Sequence, residues 1–210
     1  MVTPRGPASV NGRLVKDGTP VEAGVTVKLE DRAYAIVATT TTDAQGTYAF
    51  DDVTISGTGL NVLFAQEWNE QYDVGDVVSW AWLGPITIPR GDRVQVADLE
   101  ISLLGFEQVT PPSGTSFSEG EVSAQNPLSF EWTPYPGAGT YWVDLTQGND
   151  LNRVWQSAMV DTTSVAFDGA LNSGIQMPAD TYWWGVGACK DVQDYRLTIY
   201  GYLPTFVVKP

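Results

Sequence analysis

Across Asp180–Cys189 the sequence DTYWWGVGAC alternates with a period of two. In an extended chain successive side chains point to opposite faces, so Tyr182, Trp184, Val186 and Ala188 share one face and Trp183, Gly185, Gly187 and Cys189 the other. The first set reads as a core. The second is one large aromatic among small residues, which is either a place where something packs or a shallow binding platform. The same period recurs at Val25, Val27 and Leu29 against Thr26, Lys28 and Glu30, and at Leu128, Phe130 and Trp132 against Ser129 and Glu131. With 21 Gly, 13 Pro and no helix-period stretch beyond a turn or two, these short runs predict an all-β chain. At 210 residues without a short repeat, it has the length of one large domain or two ordinary ones.

The first half reads as a series of strands. Ala8–Lys16 ends in the turn Asp17-Gly18-Thr19-Pro20, and Gly24–Glu30 forms a half-buried strand. Tyr34–Thr42 follows, and Asp43-Ala44-Gln45-Gly46 connects it to Thr47–Phe50, where Tyr48 and Phe50 share a face. Leu60–Gln66 is a further strand. Val77–Leu83 places Trp80 and Trp82 on one face, a pattern more typical of core than of a site. Val94–Leu104 closes this half, with Ala97, Leu99, Ile101 and Leu103 expected inward.

The order V-x-G-x-L-V-x-x-G-x-P-V-x-x-G-V-x-V-x-L, followed by TTTTDAQGTYAFDDV, resembles the carboxypeptidase regulatory-like or collagen-binding B-type module, a transthyretin-like sandwich. The matching positions include Gly12, Gly18, Pro20, Val21, Gly24, Asp43, Gly46, Tyr48, Phe50 and Val53. Some relatives of that module form a Lys to Asn or Asp isopeptide bond. The resemblance offers Lys16 and Asp98 for it, although Lys16 adjoins a turn and Asp98 falls on the polar face.

A boundary is expected near Gly105, ahead of the Pro/Gly-rich stretch Thr110–Thr115, giving domains over 1–104 and 105–210. Beyond it, Pro127–Trp132, Tyr141–Gln147, Arg153–Ser157 and Thr163–Phe167 read as strands. Tyr141, Val143 and Leu145 point inward, with Trp142, Asp144 and Thr146 outward. Pro111 and Gly114, Phe130 and Trp132, Tyr141 and Val143, Trp155 and the run Ala179–Ala188 resemble a fibronectin type III or related immunoglobulin-like domain. In that family the matching Tyr182 makes a tyrosine corner. Asp191–Tyr202 is longer than the family's usual hairpin loop, and the last strand is expected near Tyr202–Lys209, with Phe206 and Val208 inward.

Several chemistries are excluded. Without histidine, no His-dependent triad, metal site or general base can form. The single cysteine, Cys189, rules out an internal disulfide framework and a thiolate metal cluster. No P-loop, GxGxxG or GxSxG spacing occurs. A net charge of -14 repels phosphate backbones and anionic lipid, so nucleic acid is not an expected partner. No apolar run reaches membrane-spanning length, so no membrane insertion is expected in this segment. MVTPRGP reads as a trimmed or engineered start, any export signal being expected outside this chain. The loop carboxylates Glu67, Glu70, Asp73 and Asp76 and the Asn149, Asp150, Asn152 turn read as solvated polar groups. Neither a cofactor nor a metal is expected.

Trp142 and Trp183, flanked by Asp144, form the candidate partner-binding site. If their strands are neighbours and the two residues directly opposed, their Cβ atoms would stand about 4.5–5.5 Å apart. Such a pair would pack against a neighbouring domain or chain, stack a sugar ring, or pack under the 191–201 loop. The expectation is a non-enzymatic structural or adhesive module pair of a secreted or cell-surface prokaryotic protein, with a protein partner or self-association. A carbohydrate-binding accessory module is the alternative.

Overall fold

A computed structural model describes residues 8–53, 59–66, 69–73, 76–88, 91–148, 152–192, 195–200 and 204–210. Its strands are β1 (Ala8–Lys16), β2 (Thr19–Pro20), β3 (Thr26–Asp31), β4 (Ile36–Thr41), β5 (Thr47–Val53), β6 (Leu60–Ala65), β7 (Trp80–Ile86), β8 (Arg93–Gln95) and β9 (Leu99–Glu100). They continue as β10 (Gln108–Thr110), β11 (Thr115–Ser118), β12 (Leu128–Trp132), β13 (Thr140–Gln147), β14 (Asn152–Gln156), β15 (Ser164–Phe167), β16 (Asp180–Val192), β17 (Tyr195–Tyr200) and β18 (Thr205–Lys209). The fold is all-β, with sheets packed as sandwiches, and no described residue is in an α-helix. Two compact units form: one ends at Ser102 and also takes in Asp191–Ile199, and the other comprises Leu103–Lys190 and the chain from Tyr200 onward.

In the first unit, β1 lies between β2 and β5 and also pairs in parallel with β8 and β9. The facing sheet runs β17-β7-β6-β3-β4. The turn after β1 has positive φ at both Asp17 and Gly18, the pair of angles a two-residue hairpin needs to follow the strand twist. Glu100 holds that turn, accepting hydrogen bonds from Asp17 N at 3.0 Å and Gly18 N at 2.9 Å. Asp43 organises the β4–β5 turn in the same way, its Oδ1 accepting from Gln45 N at 2.9 Å and Thr47 N at 2.8 Å. Val10, Leu14, Val27, Leu29, Tyr48, Phe50, Val62, Phe64, Ala81 and Leu83 fill the core between the sheets.

Three expectations that bear on this unit are corrected. Trp80 and Trp82 are half-buried on the outward face of β7, while Ala81 and Leu83 face the core. Ala97 is exposed and Val96 is buried. The cause is a slip in pairing: Val10 partners Val94, but Leu14 partners Leu99, so one extra residue sits between β8 and β9 and reverses the alternation. Finally, Asp191–Tyr202 is not a long loop throughout. β16 continues to Val192, and the run YRLTIY, rich in β-branched and aromatic residues, forms β17 beside β7.

In the second unit a three-stranded sheet, β10-β12-β15, opposes a sheet in which β11, β18, β16, β13 and β14 are successive neighbours. Phe130, Tyr141, Val143, Phe167, Tyr182, Trp184, Val186, Phe206 and Val208 form its core. Phe130 is the hub, its ring centroid 5.0 Å from that of Trp184 and 6.0 Å from that of Trp155. The Trp184 indole donates to Pro111 O at 3.3 Å. The Tyr182 hydroxyl donates to Pro178 O at 2.8 Å, which ties the start of β16 to the backbone just before it. Burial, with the nearby carboxylates of Asp180 and Glu119, pushes the Tyr182 hydroxyl pKa up to about 12, so the tyrosine stays a donor.

Candidate binding face

The period-two pattern of β16 and its pairing with β13 build one face from two strands. Trp142 partners Gly187, Asp144 partners Gly185 and Thr146 partners Trp183. Paired residues share a side, so Trp142, Asp144, Thr146, Trp183, Gly185, Gly187 and Cys189 all lie on the outward face, opposite the core.

The two tryptophans are therefore on one face but not directly opposed, which corrects the expected pair. Trp183 faces Thr146, four positions along β13 from Trp142. At about 3.3 Å per residue the offset is roughly 13 Å, too far for both indoles to stack on one sugar ring. Register is set by the turns that join strands, and the excursion between β13 and β16 leaves no such signal in sequence.

Each indole is half-buried and held differently. The Trp142 benzo ring lies against Gly187, where a Cβ would have no room. Its Nε1 donates to Asp144 Oδ2 at 3.1 Å. Asp144 is 8% exposed and forms an ion pair with Arg153 of β14 at 3.5 Å. The Trp183 Nε1 is buried without a hydrogen-bond partner among the described residues. Gly185, which pairs with Asp144 between the two tryptophans, is also buried, as are Gly187 and, beyond Trp142, Cys189, so the strip between the tryptophans is dry.

Arg153 belongs to this group, and sequence reading did not find it. The signal lay in β14, a hairpin partner of β13 whose register sets Arg153 opposite Thr146. A second buried acid was also missed. Glu30, on the outward face of β3, is 6% exposed, and its Oε2 has no hydrogen-bond partner among the described residues. Burial raises its pKa, the Trp82 indole partly offsets this, and Asp31 adds to the rise. Its strand parity was legible in sequence, but the covering of that face was not.

The other candidates are not brought together. Lys16 Nζ stands 5.5 Å from the centroid of the Tyr72 ring, and Asp98 is paired with Arg13, so the amine and carboxylate of the suggested cross-link have different partners. Glu70, Asp73 and Asp76 are exposed. Asn152 is exposed at the start of β14, whereas Glu67, Asn149 and Asp150 lie outside the described residues. Among the described residues no cluster of three or more His, Cys, Asp or Glu side chains is placed to hold a metal. No described helix is long and apolar enough to cross a membrane.

No family model matches the chain, and no curated protein matches it at a significant level. Among solved structures, a DUF3823 family protein from Bacteroides ovatus ATCC 8483 aligns over 96% of this chain and 100% of its own, at 14% identity and a TM-score of 0.28. BcpA, the major pilin subunit of Bacillus cereus, aligns over 96% of this chain and 69% of its own, at 11% identity and a TM-score of 0.29. A tetra-tandem repeat in the extending region of a large adhesion protein aligns over 95% of this chain and 49% of its own, at 16% identity and a TM-score of 0.22. At these scores the β-sandwich architecture rests on this chain's own strands and pairings.

Proposed function

We propose that this chain is a non-catalytic pair of β-sandwich modules, a structural or adhesive element of a secreted or cell-surface prokaryotic protein. In this reading the first unit is a carboxypeptidase regulatory-like or collagen-binding B-type module and the second a fibronectin type III-like domain. The Tyr182 bond to Pro178 O supports the second assignment, since a tyrosine corner ties that strand to backbone a few residues upstream.

The dry outward face of β13 and β16 carries the reading. A sugar-binding platform needs open indole faces and hydrogen-bonding groups in reach of solvent. Here the Trp183 N–H is buried, the Trp142 N–H is spent on Asp144, and Asp144 is itself buried. Such a face suits protein packed on protein, where aromatic residues are enriched and charges are depleted.

Titration with a broad polysaccharide panel, followed by Trp fluorescence, tests the reading. The structural reading expects no response, together with a lowered thermal midpoint for Trp183→Ala. Saturable quenching that disappears in Trp142→Ala would overturn it in favour of glycan binding.

A further inference from the structure

The sheet that contains β3 ends at β4, and among the described residues β4 pairs only with β3. The direction of its free backbone groups follows from its last bonds. Thr42 N donates to Val25 O at 3.0 Å and Thr42 O accepts from Gly24 N at 2.9 Å, so Thr42 is turned toward the β3 side. Backbone groups alternate sides along an antiparallel strand. Those of Thr39 and Thr41 therefore point away from β3, at the open edge.

This edge lacks most of the usual safeguards. From Ala33 to Thr42 the sequence AYAIVATTTT contains no charge, proline or glycine, in a chain with 25 acidic and 11 basic residues. Tyr34 is 78% exposed, Ile36 41% and Val37 48%, which makes them the densest run of exposed large apolar residues described. Natural edge strands are normally guarded by lysine, proline, inward charge or a bulge. Of these, β4 has one bulge: Ala38 is opposite Leu29 and Ile36 opposite Glu30, so Val37 is the extra residue.

We infer that β4 pairs edge to edge with β4 of a second copy of this chain, antiparallel about a two-fold axis. Two copies that each carry a charge of -14 can approach closely only where charge is absent, and this edge is such a place. Centred on Thr39, the pairing sets Ala38 against the second copy's Thr40 and Val37 against its Thr41, the latter a β-branched pair of the kind that stabilises cross-strand contacts. It also brings the Arg32 end of each copy toward the Asp43 end of the other, whereas a parallel pairing would set Asp43 beside Asp43. The strand-edge contact is independent of the β13–β16 face.

Sedimentation velocity from about 1 μM to about 1 mM, the span of weak to moderate self-association, tests this on the full chain. Wild type should show a concentration-dependent dimer. Thr39→Pro removes one outward N–H, and Thr41→Lys sets a charge opposite the second copy's Val37, on an edge that otherwise carries none. Each should raise the dissociation constant at least tenfold while far-UV circular dichroism stays unchanged. If Thr39→Pro disturbs folding, Thr41→Lys decides. A wild type that stays monomeric throughout would overturn the inference, as would a dimer equally tight in both variants, or one lost only in Trp183→Ala.

Discussion

Trp80 and Trp82 on β7, and Trp142 and Trp183 on β13 and β16, all lie half-buried on outward sheet faces, yet the buried carboxylate beside each pair is held differently. Asp144 accepts from the Trp142 indole and pairs with Arg153. Glu30, near Trp82, keeps one oxygen without a hydrogen bond among the described residues and has a raised pKa. Burial alone does not fix the cost of a carboxylate; what it meets there does. A paired and hydrogen-bonded acid fastens its face, whereas a desolvated one with incomplete partners opposes folding whenever it is charged. The comparison also shows that a tryptophan's size does not reveal its side of the sheet. In both units the core positions are the neighbours of the outward indoles: Ala81 and Leu83 in one, Tyr182 and Trp184 in the other.

The largest test of this contrast uses the adjacent pair Trp183 and Trp184. Trp184 is fully buried against Phe130, and Trp184→Ala should cost about 3–5 kcal/mol in chemical denaturation. Trp183→Ala, which empties only a half-buried outward position, should cost about 1–2 kcal/mol. Equal losses would erase the distinction between core and outward indoles. A smaller effect is expected at Asp144. Asp144→Ala removes the acceptor of the Trp142 N–H and should cost about 1 kcal/mol, with a change in near-ultraviolet circular dichroism from the freed indole. An unaltered spectrum would show that the carboxylate does not hold Trp142.

The smallest expected change is at Glu30 and has the opposite sign. A carboxylate whose folded-state pKa lies above its unfolded value takes up a proton on folding at intermediate pH. Its contribution falls as pH rises from about 4.3 through the raised value, and stays reduced above it. Glu30→Gln removes that loss, so the variant should be more stable than wild type at pH 7, and the difference should fade in acid. A variant less stable than wild type at pH 7 would mean that the charged Glu30 is fully compensated.

Much of this arrangement was legible in sequence, because strand parity is local. β1 spans the expected Ala8–Lys16, and the inward sets Val25, Val27 and Leu29, Leu128, Phe130 and Trp132, and Tyr182, Trp184, Val186 and Ala188 are all buried. Register and cover are not local. The extra residue between β8 and β9 exposed Ala97, and the offset between β13 and β16 separated Trp142 from Trp183. Alternation also places Glu30 and Asp144 opposite the core without revealing that their faces are shielded from water. Arg153 is only nine residues from Asp144, but its place beside that acid follows from the β13–β14 register, which strand parity does not give.

The β13–β16 face is dry, and that property separates protein packing from sugar binding there. Hydrogen exchange of the Trp183 indole N–H, followed by NMR in the full chain, reads that property at one atom. Slow exchange, unchanged by saturating polysaccharide, is the predicted result. Exchange at the rate of a free indole, or protection that appears only when a glycan is added, would contradict it.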